Sequence, residues 1–317
     1  MDREALAVWC ERHLGAPPAE GFLQTGHRCA VHGVRLTDGR DVVIKIRRAM
    51  PSLGTCVEVQ RRLWERGFPC PRPLVGPVPF GEFRATVEAY VPGGSQPRPD
   101  ADAAWRSAAA LVRLVASAPS PRELPEFGAP PPWVRWDHNG PEAWPPADDR
   151  DDDLNAYPDP RWLADVAWRS RVRLRACQLP PVVGHGDWYR DNVLWRGSEL
   201  HVVHDWDSVI CQPEAVIAGA AAALFGTHAG EHGANRIAPT ALFLDAYADT
   251  RCRAWSAEER QVGWAAGLWL IAFDAKKASL DGCSPEWLMD ELTMRLQLAG
   301  VAIANSSQAI AAAARPT

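Results

Sequence analysis

Polar side chains are concentrated in two short segments that are otherwise apolar. The first, GHGDWYRDNVLW at residues 184–195, contains His185, Asp187 and Asn192, and the second, HVVHDWDS at residues 201–208, contains Asp205 directly after a strand-like run. Oxygen-bearing side chains gathered in a small space require a positive partner. The spacing therefore predicts a site in which Asp187, Asn192 and Asp205 surround a cation.

Lys45 is a second candidate because it lies inside the apolar run VVIKI. A lysine that alternates with isoleucines on a central strand is costly to bury unless an anionic group meets it. The helix predicted after this strand contains two acids, Glu58 and Glu65. If neither acid pairs with it, Lys45 extends from an edge strand into water.

The composition limits the classes of protein that these residues can serve. With 317 residues, 47% of them hydrophobic and 23% charged, the chain has the make-up of a soluble globular protein of one large domain or two lobes. A net charge of -5 gives no basic surface for nucleic acid or an anionic membrane as the main partner. The amphipathic start lacks the features of a signal peptide, so we expect a cytoplasmic protein.

The N-terminal part of the chain alternates between strand and helix signals. A helix is predicted over residues 1–15 and another over 51–71, with Ser52 as its N-cap. Asp38-Gly39 is a strong hairpin signal between two of the strands. The predicted strands are at residues 21–26, 28–37, 40–48, 73–80 and 83–91.

The C-terminal part is mainly helical. Residues 119–160, rich in proline, aspartate and tryptophan, are predicted to be an insertion or loop. Two short strands joined at Gly197 follow the polar segments, and the helices are predicted near residues 100–118, 160–178, 213–226, 239–251, 257–279 and 285–304. This order predicts an α+β fold of two lobes, a small antiparallel sheet with one helix over residues 1–91 and a larger helical lobe over 92–317. The cleft between them is the expected place for a site.

His185-Gly186-Asp187, with Asn192 five residues after the aspartate, has the spacing of a kinase catalytic loop. The chain here resembles the aminoglycoside phosphotransferase family, a branch of the protein-kinase-like fold. The catalytic loop of that family is H-G-D-x-x-x-x-N, and its metal-binding aspartate follows on a short strand, as Asp205 does. The resemblance spans residues 20–225 and is strongest in these two motifs.

The resemblance implies a bilobal kinase-like fold and transfer of the γ-phosphate of ATP, or alternatively GTP, to a hydroxyl of a small molecule in the presence of Mg²⁺. Asp187 would orient the attacking hydroxyl and accept its proton late, while His185 would brace the loop. Asn192 and Asp205 would hold Mg²⁺. Asp207 would either assist a second ion or be simply exposed.

The resemblance also places the nucleotide against the N-terminal sheet. Lys45 matches the lysine that holds the α- and β-phosphates and pairs with a helix glutamate, which implies Glu58 as its partner, with Glu65 as the alternative. In the hairpin QTGHRCAVHGV, Thr25, Gly26 and His27 would offer backbone N–H groups to phosphate, or else form an ordinary turn. The linker VEAYVPGG would face the adenine with the backbone of three residues, Glu88, Tyr90 and Val91.

One departure from the family leaves the acceptor substrate open. After its metal aspartate the family usually continues G-D-P-x-x-D-L, whereas this chain has SVICQPEAVIAGAAAALF, with Glu214 after a proline. The remaining hypotheses are a kinase for an aminoglycoside or other antibiotic, a metabolic kinase of the sugar, amino-alcohol or homoserine type, and an inactive nucleotide-binding protein. The sequence does not set the oligomeric state.

The residues that would contact an acceptor each have a second interpretation. The acidic run ADDRDDDLN at 147–155 would suit a cationic substrate such as an aminoglycoside, or would be a solvated loop. Tryptophans of the insertion would offer flat faces to a sugar ring or pin the loop to the body; they are Trp133, Trp136 and Trp144. Three late aspartates are further candidates for the pocket: Asp245, Asp274 and Asp281.

Overall fold

An antiparallel five-stranded sheet forms the N-terminal part of the computed structural model, which describes residues 3–25, 29–96, 101–125, 127–147, 150–157, 160–229 and 236–301. Two helices accompany this sheet, α1 (Arg3–Leu14) and α2 (Leu53–Glu65). Its strands are β1 (Pro18–Thr25), β2 (Ala30–Leu36), β3 (Asp41–Arg47), β4 (Pro73–Phe80) and β5 (Phe83–Ala89).

The strand order is β1-β2-β3-β5-β4, so β3 lies at the centre of the sheet. The predicted hairpin between β2 and β3 is confirmed, and its Gly39 adopts a φ of +88°, which a residue with a side chain rarely adopts. Because β3 is central, its backbone is paired on both sides, with β2 and with β5. The side chains of β3 are therefore held in a fixed register relative to both neighbours.

The two faces of β3 have different environments. Val42, Ile44 and Ile46 are buried in a core cluster with residues of α1. Because strand side chains alternate between faces, Lys45 and Arg47 project from the opposite face of the sheet. Burying a lysine that alternates with isoleucines looked costly from the sequence. In the sheet, this alternation directs both cations away from the apolar core.

Helix α2 packs away from the α1 cluster. Its buried residues Cys56, Val59 and Leu63 belong to a larger core cluster made mainly by the C-terminal part of the chain. Ser52 occupies the predicted N-cap position, but its side chain makes no capping hydrogen bond, because the residue already has helical backbone angles. Helix α2 thus connects the sheet to the core of the helical part.

The C-terminal part is mainly helical, as predicted, and two strand pairs carry its polar segments. The elements are α3 (Ala101–Ser117), α4 (Arg161–Arg175), β6 (Pro181–His185), β7 (Val193–Arg196), β8 (Glu199–Val203), β9 (Val209–Pro213), α5 (Glu214–Ala229), α6 (Ile237–Thr250), α7 (Ala257–Leu280) and α8 (Met289–Leu298). Strand β6 pairs with β9 and strand β7 with β8, both antiparallel. None of the helices in the described part is both long and apolar enough to cross a membrane.

The insertion at 119–160 is packed onto the helical part where the structure describes it. Arg171 of α4 is buried and donates hydrogen bonds to four backbone carbonyls of the insertion, those of Trp136, His138, Gly140 and Glu142. Trp136 and Trp144 are buried, which agrees with the interpretation that they pin the loop to the body. Their faces are therefore not open to a sugar ring.

The α+β fold, with a small antiparallel sheet before a mainly helical part, is confirmed. The connection between the two parts is held by a backbone bridge, because the N–H groups of Ser95 and Trp195 each donate to the carbonyl of the other residue, at 2.8 and 2.9 Å. The predicted division into lobes at residue 91 stays a prediction.

Candidate active site

The loop between β6 and β7 brings Asp187 and Asn192 together. The Asn192 side chain donates through Nδ2 to the backbone oxygen of Asp187 at 3.1 Å and to its carboxylate Oδ2 at 2.9 Å. Two backbone turns shape the loop, since Tyr189 N donates to Asp187 O and Asn192 N donates to Tyr189 O. The carboxylate of Asp187 is thus oriented by the same amide that was predicted as a metal ligand.

His185 stabilises this loop through both nitrogens of its ring. Its Nδ1 accepts from the backbone N–H of Asp187 at 3.1 Å, and its Nε2 donates to the carbonyl of His204 at 3.0 Å. Burial lowers the pKa of His185, although the nearby Asp205 acts in the opposite direction. A neutral ring with both nitrogens engaged holds the loop against the segment that carries Asp205, which agrees with the bracing role.

Asp205 has an unusual backbone conformation. It lies between β8 and a short 3₁₀ turn at residues 206–208, with a φ of 62° and a ψ of 49°. For a residue with a side chain this left-handed conformation costs about 1–2 kcal/mol. The turn after it is fixed to the catalytic loop, because Gly186 N donates to the carbonyl of Ser208 at 2.7 Å.

Lys45 pairs with Glu88 of β5, at 3.1 Å between Nζ and Oε1. Val43 stands directly opposite Glu88 and Lys45 directly opposite Thr86, so Lys45 and Glu88 are diagonal neighbours across two strands. The side chains of Lys45 and Glu88 are only 12% and 8% exposed. The prediction that Lys45 has an anionic partner is correct, and the prediction that this partner comes from the helix is wrong.

The helix contributes an amide instead of an acid. Gln60 of α2 is buried and donates to Glu88 Oε2 at 3.0 Å. Glu58 faces the surface, where it accepts from Arg61 and Arg62, and Glu65 pairs with Arg61. The rotation of α2 about its axis places Gln60 inward with Cys56 and Leu63, so both predicted acids point away from Lys45.

Lys45 stays charged in this environment. Burial by itself lowers the pKa of Lys45, but the carboxylates of Glu88 and Asp205 outweigh it and raise the pKa above its ordinary value. Lys45 lines a pocket between the sheet, α2 and the turn, and Trp206 and Asp207, directly after Asp205, line the same pocket. A retained positive charge on β3 is what an anionic ligand such as a phosphate group would meet.

Asp207 is not exposed, which was one of its two predicted states, while its assistance to a second ion stays a prediction. Its carboxylate forms an ion pair with Arg47 of β3, and the two side chains are 17% and 10% exposed. Arg47 stands two residues after Lys45 and therefore faces the same side of the sheet. The segment VVIKIRR already indicates that Lys45 and Arg47 share one face of a strand.

Some of the sheet residues that were predicted to contact the nucleotide lie in the described part of the chain. Thr25 ends β1 at the hairpin and is exposed, whereas Gly26 and His27 lie outside the described residues. Glu88 belongs to β5, within the predicted strand at 83–91, and its carboxylate is buried, while the expected contact of its backbone with the adenine stays a prediction. The two other linker residues follow β5, and Tyr90 N donates to Asp41 O while Val91 is partly exposed.

Several charged groups act on Tyr189 of the loop between β6 and β7. The pKa of Tyr189 is raised, first by burial and then by the carboxylates of Asp191, Asp187 and Asp274, whereas Arg190, which pairs with Asp191 at 3.7 Å, acts in the opposite direction. Asp274 is an exposed residue of α7. The other two late aspartates form exposed ion pairs elsewhere, Asp245 with Arg260 and Asp281 with Arg150.

Two further contacts involve residues that the sequence left undecided. Trp133 of the insertion donates from Nε1 to the carbonyl of Gly186 at 2.9 Å, and so supports the catalytic loop from the insertion side. Glu214 at the start of α5 accepts from the hydroxyl of Tyr247 at 2.9 Å and pairs with Arg251. Glu214 therefore ties α5 to α6.

Residues 148–149 of the acidic run lie outside the described residues.

The site fits a magnesium ion that a substrate helps to bind. No group of three or more His, Cys, Asp or Glu side chains in the described ranges could hold a metal by itself. Asn192 and Asp205 offer one amide and one carboxylate. Mg²⁺ keeps several waters and is usually bound through one or two carboxylates together with substrate phosphates, so this small donor set suits it.

Three solved structures share this fold at low sequence identity. An amicoumacin kinase, hAmiN, in complex with AMP-PNP, Ca²⁺ and Ami has a TM-score of 0.61 and 10% identity, and the match covers 90% of this chain and 89% of that one. A thermostable mutant of aminoglycoside phosphotransferase APH(4)-Ia, in a ternary complex with ADP and hygromycin B, has a TM-score of 0.61 and 12% identity, covering 94% and 100%. Spectinomycin phosphotransferase APH(9)-Ia, in complex with ADP and spectinomycin, has a TM-score of 0.54 and 13% identity, covering 94% of this chain and 99% of that one.

The sequence comparisons point in the same direction as the geometry. A search of curated proteins finds no match to this sequence. The profile of the phosphotransferase enzyme family, abbreviated APH, matches residues 31–215, which is more than half of the chain and includes β3, the catalytic loop and Asp205. The chain therefore belongs to the phosphotransferase enzyme family.

Proposed function

We propose that this protein is an ATP- and Mg²⁺-dependent O-phosphotransferase that transfers the γ-phosphate to a hydroxyl of a small molecule. The observation that carries the proposal is the constellation itself. Asp187 and Asn192 are hydrogen-bonded at 2.9 Å, and Lys45 lines a pocket with Trp206 and Asp207, the residues directly after Asp205. Family membership supports the reaction class.

Asp187 acts on the acceptor in this proposal. Its carboxylate accepts a hydrogen bond from the attacking hydroxyl, aligns that oxygen with the phosphorus and takes the proton late in the transfer. The hydrogen bond from Asn192 Nδ2 fixes the carboxylate, and the backbone of Asp187 is fixed by His185. Phosphoryl transfer requires mainly positioning and charge stabilisation, which are what these contacts supply.

Lys45, Asn192 and Asp205 act on the nucleotide. Lys45 is held by Glu88 and binds phosphate oxygens through its retained charge. Asn192 and Asp205 are the residues that would hold Mg²⁺, which when bound supplies positive charge against the phosphate oxygens. The complexes of solved relatives with AMP-PNP and Ca²⁺ or with ADP support a nucleotide and a divalent cation as ligands here.

The acceptor we favour is a hydroxylated molecule that carries amino groups. Three carboxylates, those of Asp187, Asp191 and Asp274, act on Tyr189 against a single cation, Arg190, which pairs with Asp191 at 3.7 Å, so the group is net negative. Such a concentration of negative charge attracts a cationic molecule and raises its local concentration. Hygromycin B and spectinomycin in the complexes of two relatives support an antibiotic as the acceptor.

An acceptor screen tests this proposal. Purified protein is supplied with Mg·ATP, and ADP release is measured with aminoglycosides, neutral sugars, amino alcohols and homoserine. Release that depends on an amine-bearing acceptor supports the favoured substrate, whereas release with neutral sugars alone would redirect the proposal to a metabolic kinase. Binding of Mg·ATP in a thermal-shift measurement without transfer to any acceptor would indicate an inactive nucleotide-binding protein.

A further inference from the structure

Two cationic side chains of strand β3 face the short segment after β8, which contains two acidic residues. Lys45 and Arg47 lie two residues apart on the same face of the strand. Both line one pocket with Trp206 and Asp207, the two residues directly after Asp205, and Arg47 forms an ion pair with Asp207. The Arg47–Asp207 pair joins residues that are 160 positions apart in the chain, and both side chains are largely buried.

The turn that contains Asp207 is held from three directions. Arg47 contacts its side chain from the sheet, and the thiol of Cys56 on α2 lies 3.7 Å from the Asp207 carbonyl. From the catalytic loop, Gly186 N donates to the carbonyl of Ser208 at 2.7 Å. The residue directly before this turn is Asp205, whose left-handed backbone persists only if its surroundings fix it.

We propose that Arg47 and Asp207 are a positioning pair that sets the carboxylate of Asp205 relative to Lys45. The inference rests on the proposed function, because it assigns to the pair the alignment of the metal-binding residue with the phosphate-binding residue. It also removes Asp207 from the metal site. The competing role of Asp207 is ligation of a second cation. The observation in favour of that role is that Asp207 Oδ1 is buried with no hydrogen-bond partner among the described residues.

A double-mutant cycle separates the two roles. We compare Arg47→Gln, Asp207→Asn and the double variant, and measure kcat for ADP release and the Mg²⁺ concentration that gives half-maximal rate. For a positioning pair, each single change leaves an unpaired buried charge and lowers kcat by roughly tenfold, as expected when a catalytic group is misplaced. The double variant carries a neutral amide pair and leaves no unpaired charge. We therefore expect its loss in log kcat to be smaller, by roughly a third or more, than the sum of the losses of the two single variants.

A ligand role for Asp207 gives a different pattern, which would overturn the proposal. Asp207→Asn would then raise the required Mg²⁺ concentration, Arg47→Gln would leave it unchanged or lower it, and the double variant would be no better than Asp207→Asn. Arg35→Gln is the matched control, since it removes an exposed ion pair with Asp41 on the same sheet and is expected to keep the wild-type kcat.

Folding and the underlying activity are controlled in the same experiment. The melting temperature of each variant is measured without nucleotide, and Arg47→Lys, which keeps the charge at shorter reach, is used if the neutral variants do not fold. We expect Arg47→Lys to lower kcat by roughly threefold with an unchanged Mg²⁺ requirement, and a wild-type kcat in this variant would contradict the pair. If the wild-type protein neither binds Mg·ATP nor releases ADP, the proposed function fails and not merely the positioning role.

Discussion

The carboxylate of Glu88 determines how Lys45 is held, because it meets the ammonium group of Lys45 with one oxygen and the amide of Gln60 with the other. Both contacts are buried, so water cannot replace a lost partner. Removing one member of a buried ion pair leaves the other charge uncompensated, which costs more than the pair itself contributes.

Glu88→Gln therefore tests the assignment of the lysine partner. The substitution keeps the shape and removes the charge, so Lys45 is less well ordered and we expect the KM for ATP to rise by roughly tenfold, equivalent to about 1.4 kcal/mol. Steady-state kinetics of ADP release at varied ATP measures it. Glu58→Gln is the matched control, because Glu58 contacts only arginines on the surface of α2 in the described structure. Equal effects of the two variants would contradict the pairing seen here.

Asp187→Asn tests the role of the catalytic loop. The change keeps hydrogen-bonding atoms at the same place but removes the proton acceptor, so we expect kcat to fall by roughly 10²–10⁴-fold. The KM for ATP is expected to change little, because Lys45 and Asp205 remain. Asp165→Asn, which changes an exposed ion pair on α4, serves as the control. A variant at position 187 with a normal kcat would show that the acceptor hydroxyl is not oriented by this residue.

What the sequence could predict about the site follows from how local each feature is. Asp187, Asn192 and His185 lie within eight residues, so their spacing alone indicated one loop. The partner of Lys45 depends on the register of β5 and on the rotation of α2, and neither is encoded in a short motif. One signal was present. Ala85 and Val87 alternate with Thr86 and Glu88, which predicts that Glu88 shares a face with Lys45 once β5 pairs with β3.

At the level of elements, α7 is central because it carries Asp274 and packs against α4, α5 and α8. Its start is a capping box, in which the Ser256 side chain accepts from the backbone of Glu259 and the Glu259 side chain accepts from the backbone of Ser256. Arg253 adds an ion pair to Glu259. The fixed N-terminus orients the helix that presents Asp274. The serine and glutamate three residues apart were a readable signal for this boundary.

The capping box leads to a prediction about pH. Burial acts to raise the pKa of Glu259, but the hydrogen bonds from Arg253 and Ser256 outweigh it and lower the pKa from 4.5 to about 2. A depressed folded-state pKa stabilises the protein above the unfolded value, and this contribution is lost as the pH falls from about 4.5 towards 2. We expect Glu259→Gln to lower the free energy of unfolding by about 1–2 kcal/mol at pH 7.

Urea unfolding followed by circular dichroism at several pH values measures this effect. The difference between wild type and Glu259→Gln is expected to shrink steadily as the pH falls below about 4.5, because the wild-type carboxylate then loses its advantage. Glu258→Gln is the control, since the neighbouring Glu258 is about half exposed and lies outside the capping box. A difference that stays constant down to pH 2.5 would show that the loss comes from packing and not from charge.

The whole molecule is organised as two apolar cores joined through the site. One core lies between α1 and the sheet, and the other fills the helical part and includes the inner face of α2. The sheet supplies Lys45 and Arg47, whereas the helical part supplies Asp187, Asn192 and Asp205. The element order made this arrangement predictable. The docking of α2 onto the second core was not, because an amphipathic helix does not specify which of two apolar surfaces it covers.

A ligand that contacts both parts must stabilise the whole molecule. In the proposed function, Mg·ATP binds between Lys45 on the sheet and Asp205 and Asn192 on the helical side. Because it binds only the folded protein, we expect it to raise the melting temperature by mass action. At a concentration 100 times its Kd the stabilisation is about 2.7 kcal/mol, which corresponds to a rise of roughly 5 °C for a protein of this size. Differential scanning fluorimetry with ATP, with and without Mg²⁺, measures the shift.

Two variants make this measurement specific to the site. Asp205→Ala is expected to lose the part of the shift that depends on Mg²⁺, because it removes a carboxylate that would hold the ion. Asp187→Asn is expected to keep the shift while losing turnover, because Asp187 acts on the acceptor and not on the nucleotide. If Asp205→Ala retained the full Mg²⁺-dependent shift, the ion would be held elsewhere. The cleft between β3 and the turn after β8 would then not be where the nucleotide's metal binds.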